Sequence, residues 1–175
     1  MPTPEEQAFE SYSKPSFQTF YQAHFQELVA ERLFRWWSRI DLVTAVLIGL
    51  TASGSAVAGW LLWSMPGWKL VWAIIAGTAS LVSIGHGALG VAGRVKKLEE
   101  IRGQFCQLRV ELETFRQQLI IGIKSDQAKK QFELLRGRYE KFMANNHPDI
   151  LHNRKKLMSS VQDELDSLLR QKGYI

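Results

Sequence analysis

A single cysteine, Cys106, leaves no partner for an intrachain disulfide, and so small a thiol inventory suits a reducing compartment. Lying one position past an apolar repeat, it reads as a small packing residue. Charge is missing from the middle of the chain. No Asp, Glu, Lys or Arg lies between Leu42 and Trp68, and His86 is the one ionisable side chain between Leu70 and Gly93. That absence argues against an ordinary soluble fold, because the charged flanks hold too little apolar surface to enclose two such segments. A phosphate-cradling glycine loop, H-E-x-x-H, G-x-S-x-G and a paired Cys-x-x-Cys are also missing. The chain therefore reads as a non-enzyme, with no catalytic residue and no cofactor site expected. His147 and His152 have no cysteine cluster beside them, so no metal site is expected either. A cleavable leader is not expected: the first 39 residues are polar and the first apolar run is too long.

What is present is a pair of apolar segments, residues 40–63 and 70–92, joined by a turn around Pro66-Gly67. As helices they measure about 35 Å each, enough to cross a hydrocarbon core of about 30 Å. The expected fold is an all-α membrane protein built on a two-helix transmembrane hairpin over residues 40–92. An N-terminal cytosolic or interfacial amphipathic helix occupies 1–39, and a cytosolic helical bundle or coiled coil occupies 93–175. Tryptophan marks the edges of the hairpin. Arg35, Trp36, Trp37 and Arg39 stand at the entry, Trp60, Trp63, Trp68 and Trp72 surround the turn, and Arg94, Lys96 and Lys97 follow the exit. With Lys69 alone in the turn, the positive-inside rule puts both termini in the cytoplasm.

Small residues recur within the segments. Ala45, Gly49 and Ser53 in the first, and Ala73 and Gly77 in the second, form small-xxx-small patterns expected to pack the hairpin. The surplus of small faces points to assembly of several copies. Asp41 at the mouth of the first segment reads as a helix cap. His86 lies about 9 Å from the cytoplasmic end of its segment. It is either a neutral imidazole bonded across the hairpin or a residue facing a lumen, with Ser80, Ser83 and Gly87 as the other candidate pore-lining positions.

Outside the hairpin, Phe17, Phe20, Tyr21, Phe25, Leu28 and Arg32 recur at helical spacing after a cap at Ser16, and residues 1–15 read as a mobile lead-in. This helix either packs on the other cytosolic helices or lies flat on the membrane. Leu98, Ile101, Phe105, Leu108, Leu112, Phe115 and Leu119 form a heptad, expected as an oligomer seam on a helix continuous with the second apolar segment. A second helix capped at Ser125-Asp126 repeats the pattern with Ala128, Phe132, Leu135, Tyr139 and Phe142. After a break at Asn145 to Asp149, a last helix turns Leu157, Val161, Leu165 and Leu168 inward. Residues 94–175 carry 17 Lys/Arg against 11 Asp/Glu. Lys129, Lys130, Arg136, Arg138 and Lys141, with Arg154-Lys155-Lys156, form either a solvated face or a site for an anionic lipid or phosphorylated signal.

An N-terminal helix ending in Arg35-Trp36-Trp37, a tight small-residue hairpin, a basic exit Arg94-Val95-Lys96-Lys97 and heptad-like helices to about Arg170 give a layout that resembles the SLATT domain family. These are bacterial two-transmembrane proteins grouped with nucleotide-signalling conflict systems. The resemblance implies an inner-membrane effector that forms a pore or perturbs the bilayer in anti-phage defence when a partner senses infection or a nucleotide. It carries over no catalytic residues. A second reading is a non-conducting anchor that docks a soluble partner. Expected partners are the lipid bilayer, further copies of the chain and a cytosolic sensor or nucleotide-signalling protein, with no nucleic acid.

Overall fold

The chain enters its first helix through a capping box. Thr3 N–H donates to Glu6 Oε2 at 2.7 Å, and Glu6 N–H donates back to Thr3 Oγ1 at 3.3 Å. Pro4 stands at the first helical position, where its fixed φ and missing N–H cost nothing. The lead-in expected over residues 1–15 is therefore helical from Pro4 onward, with Ala8 fully buried. Ser16 is no cap: it is buried mid-helix, and its hydroxyl donates to the Ser13 carbonyl at 3.0 Å.

The structure, a computed structural model, describes residues 3–63, 67–146 and 155–174. Five helices make up these residues: α1 Pro4–Trp63, α2 Trp68–Leu89, α3 Val91–Ile121, α4 Ser125–Asn145 and α5 Lys155–Gln171. No strand occurs among the described residues. The side chains of residues 50–63, and several on α2 including Trp72, Ser83 and His86, lie outside the description.

Two compact units emerge, and the N- and C-terminal parts share one of them. Residues 1–32 and 98–175 form the first, residues 33–97 the second. In the first unit α1, α3, α4 and α5 make a bundle. Leu98, Ile101, Phe105, Leu108, Leu112, Phe115 and Leu119 are all buried within one chain. Their expected role as an oligomer seam is corrected accordingly, because no surface of these seven remains for a second copy. They meet α4 through Phe115 stacked on Phe132 at 6.1 Å, and through Phe105 edge-on to Tyr139 and Phe142 at 6.4 and 6.0 Å. On α5 the buried stripe is Val161, Leu165 and Leu169, with Leu168 half-buried, so the inward face is rotated by one residue from the expectation at its C-terminal end.

In the second unit α2 stops at Leu89. Gly90 adopts a left-handed conformation (φ 56°, ψ 40°) that a side chain rarely tolerates. Its N–H bonds the Gly87 carbonyl, and its own carbonyl accepts the Arg94 N–H that begins α3. The expected unbroken rod from the second apolar segment is thus two helices, and Val91 and Ala92 belong to α3. At the other end, Trp68 and Lys69 lie in the first turn of α2 rather than in the connecting turn.

Candidate functional site

The second unit presents apolar side chains with no protein over them. On α2, Leu70, Ile74 and Leu81 share one face and are exposed, Leu70 to 71% and Leu81 to 73%. On the adjacent face Ala73, Gly77, Ser80, Ile84 and Gly87 recur at steps of three and four, and all are exposed. A Cβ added at Gly77 or Gly87 would meet nothing within 4 Å. Ala45 and Gly49 on α1 are exposed as well, with open space at Gly49. Ala45, Gly49, Ala73 and Gly77, expected to pack the hairpin, are all exposed. Ser53 lies outside the described side chains.

Of the candidate pore-lining positions, Ser80 and Gly87 fall on this exposed small-residue face, while Ser83 and His86 lie outside the description. Among the described residues, no helix is long and apolar enough to cross a membrane. The middle of both apolar segments, residues 50–66 and several positions of α2, lies outside the described side chains.

At the polar end of this unit Arg94 lays its guanidinium over the Trp37 ring at 5.1 Å, and Trp36 meets Trp37 edge-on at 4.8 Å. Arg35, Trp36, Arg39, Lys96 and Lys97 are exposed, and so is Trp68 in the first turn of α2. Trp63 and Trp72 lie outside the described side chains.

The first unit holds a polar network that the sequence pattern did not announce. Arg109 Nε donates to Glu27 Oε2 at 2.6 Å, and its Nη1 lies 3.5 Å from Glu113 Oε2. Tyr174 O–H donates to Glu113 Oε1 at 2.9 Å. A Schellman turn aims Tyr174 there: Gly173 (φ 72°) sends its N–H to the Arg170 carbonyl, and Tyr174 N–H reaches the Leu169 carbonyl. Arg116 lies over Phe17, Phe20 and Tyr174, at 4.8, 5.5 and 5.1 Å from the ring centres. Burial lowers its pKa, and its Nη1 has no hydrogen-bond partner. Burial works against charge on Arg109 too, but the hydrogen bond and charge of Glu27 outweigh it and raise its pKa.

His24 packs on Phe20 at 5.9 Å with Nδ1 buried and unbonded. Burial lowers its pKa below the ordinary 6.5, and Arg109 lowers it further against the opposing charge of Glu27. Between 6.5 and that lower value the unfolded chain binds a proton that the folded chain does not. The contribution of His24 to stability is therefore complete above about pH 6.5 and is lost as pH falls through that window. His24→Gln is expected to flatten the fall in thermal midpoint between pH 7 and 5. An unchanged pH profile would place the acid sensitivity elsewhere.

Between α3 and α4 an open groove of about 580 Å³ runs over Val110, Thr114, Phe115, Lys130, Gln131 and Leu134. The basic residues of α4 are divided: Arg138 pairs with Glu111 across to α3, Arg136 pairs with Glu140 on its own helix, and Lys129, Lys130 and Lys141 are exposed. Arg154, His147 and His152 lie outside the described residues. Among the described residues no group of three or more His, Cys, Asp or Glu is placed to hold a metal. No family model, no curated protein and no solved structure matches this chain.

Proposed function

We propose that the chain is an oligomeric membrane protein, embedded through residues 40–63 and 70–89 with both termini cytoplasmic. Its assembly perturbs or opens a bacterial inner membrane when the helical bundle receives a trigger. The observation that carries the assembly is the small-residue face of α2, Ala73, Gly77, Ser80 and Gly87, which is exposed beside a lipid-sized apolar face. In lipid, close backbone approach along such a face is what draws helices together. The positions outside the description are apolar in sequence, among them Trp72, Ile75, Ala76 and Ala79. With them included, α2 is 22 residues and about 33 Å long, which meets the length needed to span. The permeabilising step itself rests on the resemblance of the layout to SLATT proteins.

The test is expression of the chain with and without its genetic neighbours while membrane potential is followed. Loss of potential on triggering supports the effector reading, and an intact potential under every trigger overturns it. Gly77→Leu is expected to shift the detergent-solubilised protein toward monomer and abolish permeabilisation. His86→Ala and Ser83→Leu are expected to reduce conductance without changing assembly.

The α3–α4 groove favours a second reading, a non-conducting anchor that docks a soluble partner. Leu134→Lys separates the two. An anchor loses its partner and has no conductance to lose, whereas an effector keeps its assembly and loses only its response to the trigger.

A further inference from the structure

We propose that the groove between α3 and α4 receives an acidic amphipathic helix of a partner protein. The proposal rests on the docking reading of that groove given above and adds the chemistry of what docks there. Phe115 packs on Phe132 and Phe105 on Phe142, so the two helices run antiparallel. Val110, Thr114 and Gln118 follow at one-turn steps along the α3 wall, with Lys130, Gln131 and Leu134 on the α4 wall. A second hollow shares Gln118 and Gln131 with the first and carries the groove on to Ile121 and Ile123. From Val110 to Ile121 the run is about 16 Å, or three helical turns. Val110, Ile121 and Leu134 are three of the five large apolar side chains exposed on the first unit among the described residues, so its apolar surface is concentrated here. No strand edge occurs among the described residues to pair with an extended chain. A groove between two helices takes a third helix by its apolar side chains.

Charge decides which helix. Inside the groove Glu111 is held by Arg138, and the two charges cancel. Lys130 lines the groove, and Lys141 continues its strip further along α4; both are exposed. Neither makes an ion pair with a described residue. The acidic side chains of α4, Asp126, Glu133 and Glu140, recur at steps of seven on a strip further round the helix, and Glu140 is already paired with Arg136. The open charge at the groove is therefore positive, and carboxylates beside the apolar stripe of the incoming helix complement it. A second copy of this chain fits less well. Laid two-fold on Leu134, it sets Lys130 against Arg138 of the other copy, like charge on like.

The test selects binders of the full chain in mild detergent from a display library of helical peptides. Each peptide has about 20 residues, long enough to hold a helix alone, with a fixed apolar stripe and flanking positions free to be Glu or Lys. The selected peptides are expected to carry mostly Glu at those positions. Lys130→Glu combined with Lys141→Glu is expected to weaken them about ten-fold, and Leu134→Asn by at least as much. Both variants change exposed side chains, so circular dichroism is expected to show the wild-type thermal midpoint. Lys156→Glu, on α5 and outside both hollows, is expected to bind as the wild type does. A selected pool without acidic bias that is lost on Leu134→Asn overturns the acidic chemistry and keeps the docking surface. Failure to select any peptide, or binding that ignores Leu134→Asn, overturns the docking surface as well. If Leu134→Asn instead splits an oligomer of the protein alone, as read by mass photometry, a second copy covers the groove and the assignment to a partner protein falls.

Discussion

Phe105→Ala is expected to lower the stability of the bundle by about 3–5 kcal/mol, the range for removing a large side chain from a packed core. Phe105 is fully buried and touches two rings of α4, Tyr139 and Phe142. Truncation removes those edge contacts and leaves a void that three helices cannot jointly close without shifting the Leu108 and Ile101 layers. The measurement is thermal unfolding of the full chain in detergent, followed by circular dichroism. In a unit of this size the expected fall in midpoint is about 10 °C or more. Ile121→Ser serves as the control. Ile121 is 85% exposed at the end of α3, so its loss is expected to move the midpoint by less than about 2 °C. A Phe105→Ala protein as stable as the control would mean that this seam is not the core. In that case the seven heptad residues would again be candidates for contact with a second copy.

That heptad shows both what the sequence reveals and what it leaves open. Steps of three and four from Leu98 to Leu119 specify a buried stripe on a helix, and the stripe is where the pattern puts it. Periodicity does not say whose side chains cover the stripe. Here α1, α4 and α5 of the same chain do so. The first helix shows the converse. Of the expected positions Phe17, Phe20, Tyr21, Phe25, Leu28 and Arg32, Phe20 is buried and the other five are half-buried. The buried positions of α1 are Ala8, Ser16, Thr19, Phe20, Ala23, Gln26, Val29, Ala30 and Leu33. Small side chains bring helix axes together and so reach the centre, whereas large rings at the flank close the seam from outside. A hydropathy pattern weights the rings and misses the alanines.

The capping box at Thr3 was legible in the four residues Thr3-Pro4-Glu5-Glu6, and the prolines at positions 2, 4 and 15 obscured it. Gly90 reads as one more small residue among several, since only the backbone geometry distinguishes a helix stop from a packing glycine. The polar network as a whole was not legible. Only Arg109 and Glu113, four apart on α3, are linked by local spacing; Glu27 and Tyr174 join them from 82 and 61 positions away.

Arg109→Ala is the second large expected effect, about 3 kcal/mol of bundle stability. Arg109 and Glu27 are 19% and 13% exposed at the side chain, so little water replaces the lost partner. Removing the cation leaves the Glu27 carboxylate with no guanidinium, and strips Glu113 of one of its two partners. The exposed pair Arg136–Glu140, one turn apart on α4, sets the contrast: Arg136→Ala is expected to cost less than about 0.5 kcal/mol. A double-mutant cycle on Arg109 and Glu27, each changed to Ala, is expected to return a coupling of about 1.5–3 kcal/mol. Coupling near zero would mean that packing of the arginine stem, and not its charge, joins the helices. The same variants bear on function. Glu27 lies on α1 and Arg109 on α3, the two helices that each continue past the boundary between the compact units. If the face of Gly77 carries assembly, Arg109→Ala lowers the thermal midpoint yet leaves the oligomer distribution unchanged well below it. If the oligomer dissociates at temperatures where the bundle is intact, assembly depends on how α1 and α3 are joined, and the small-residue face of α2 is insufficient by itself.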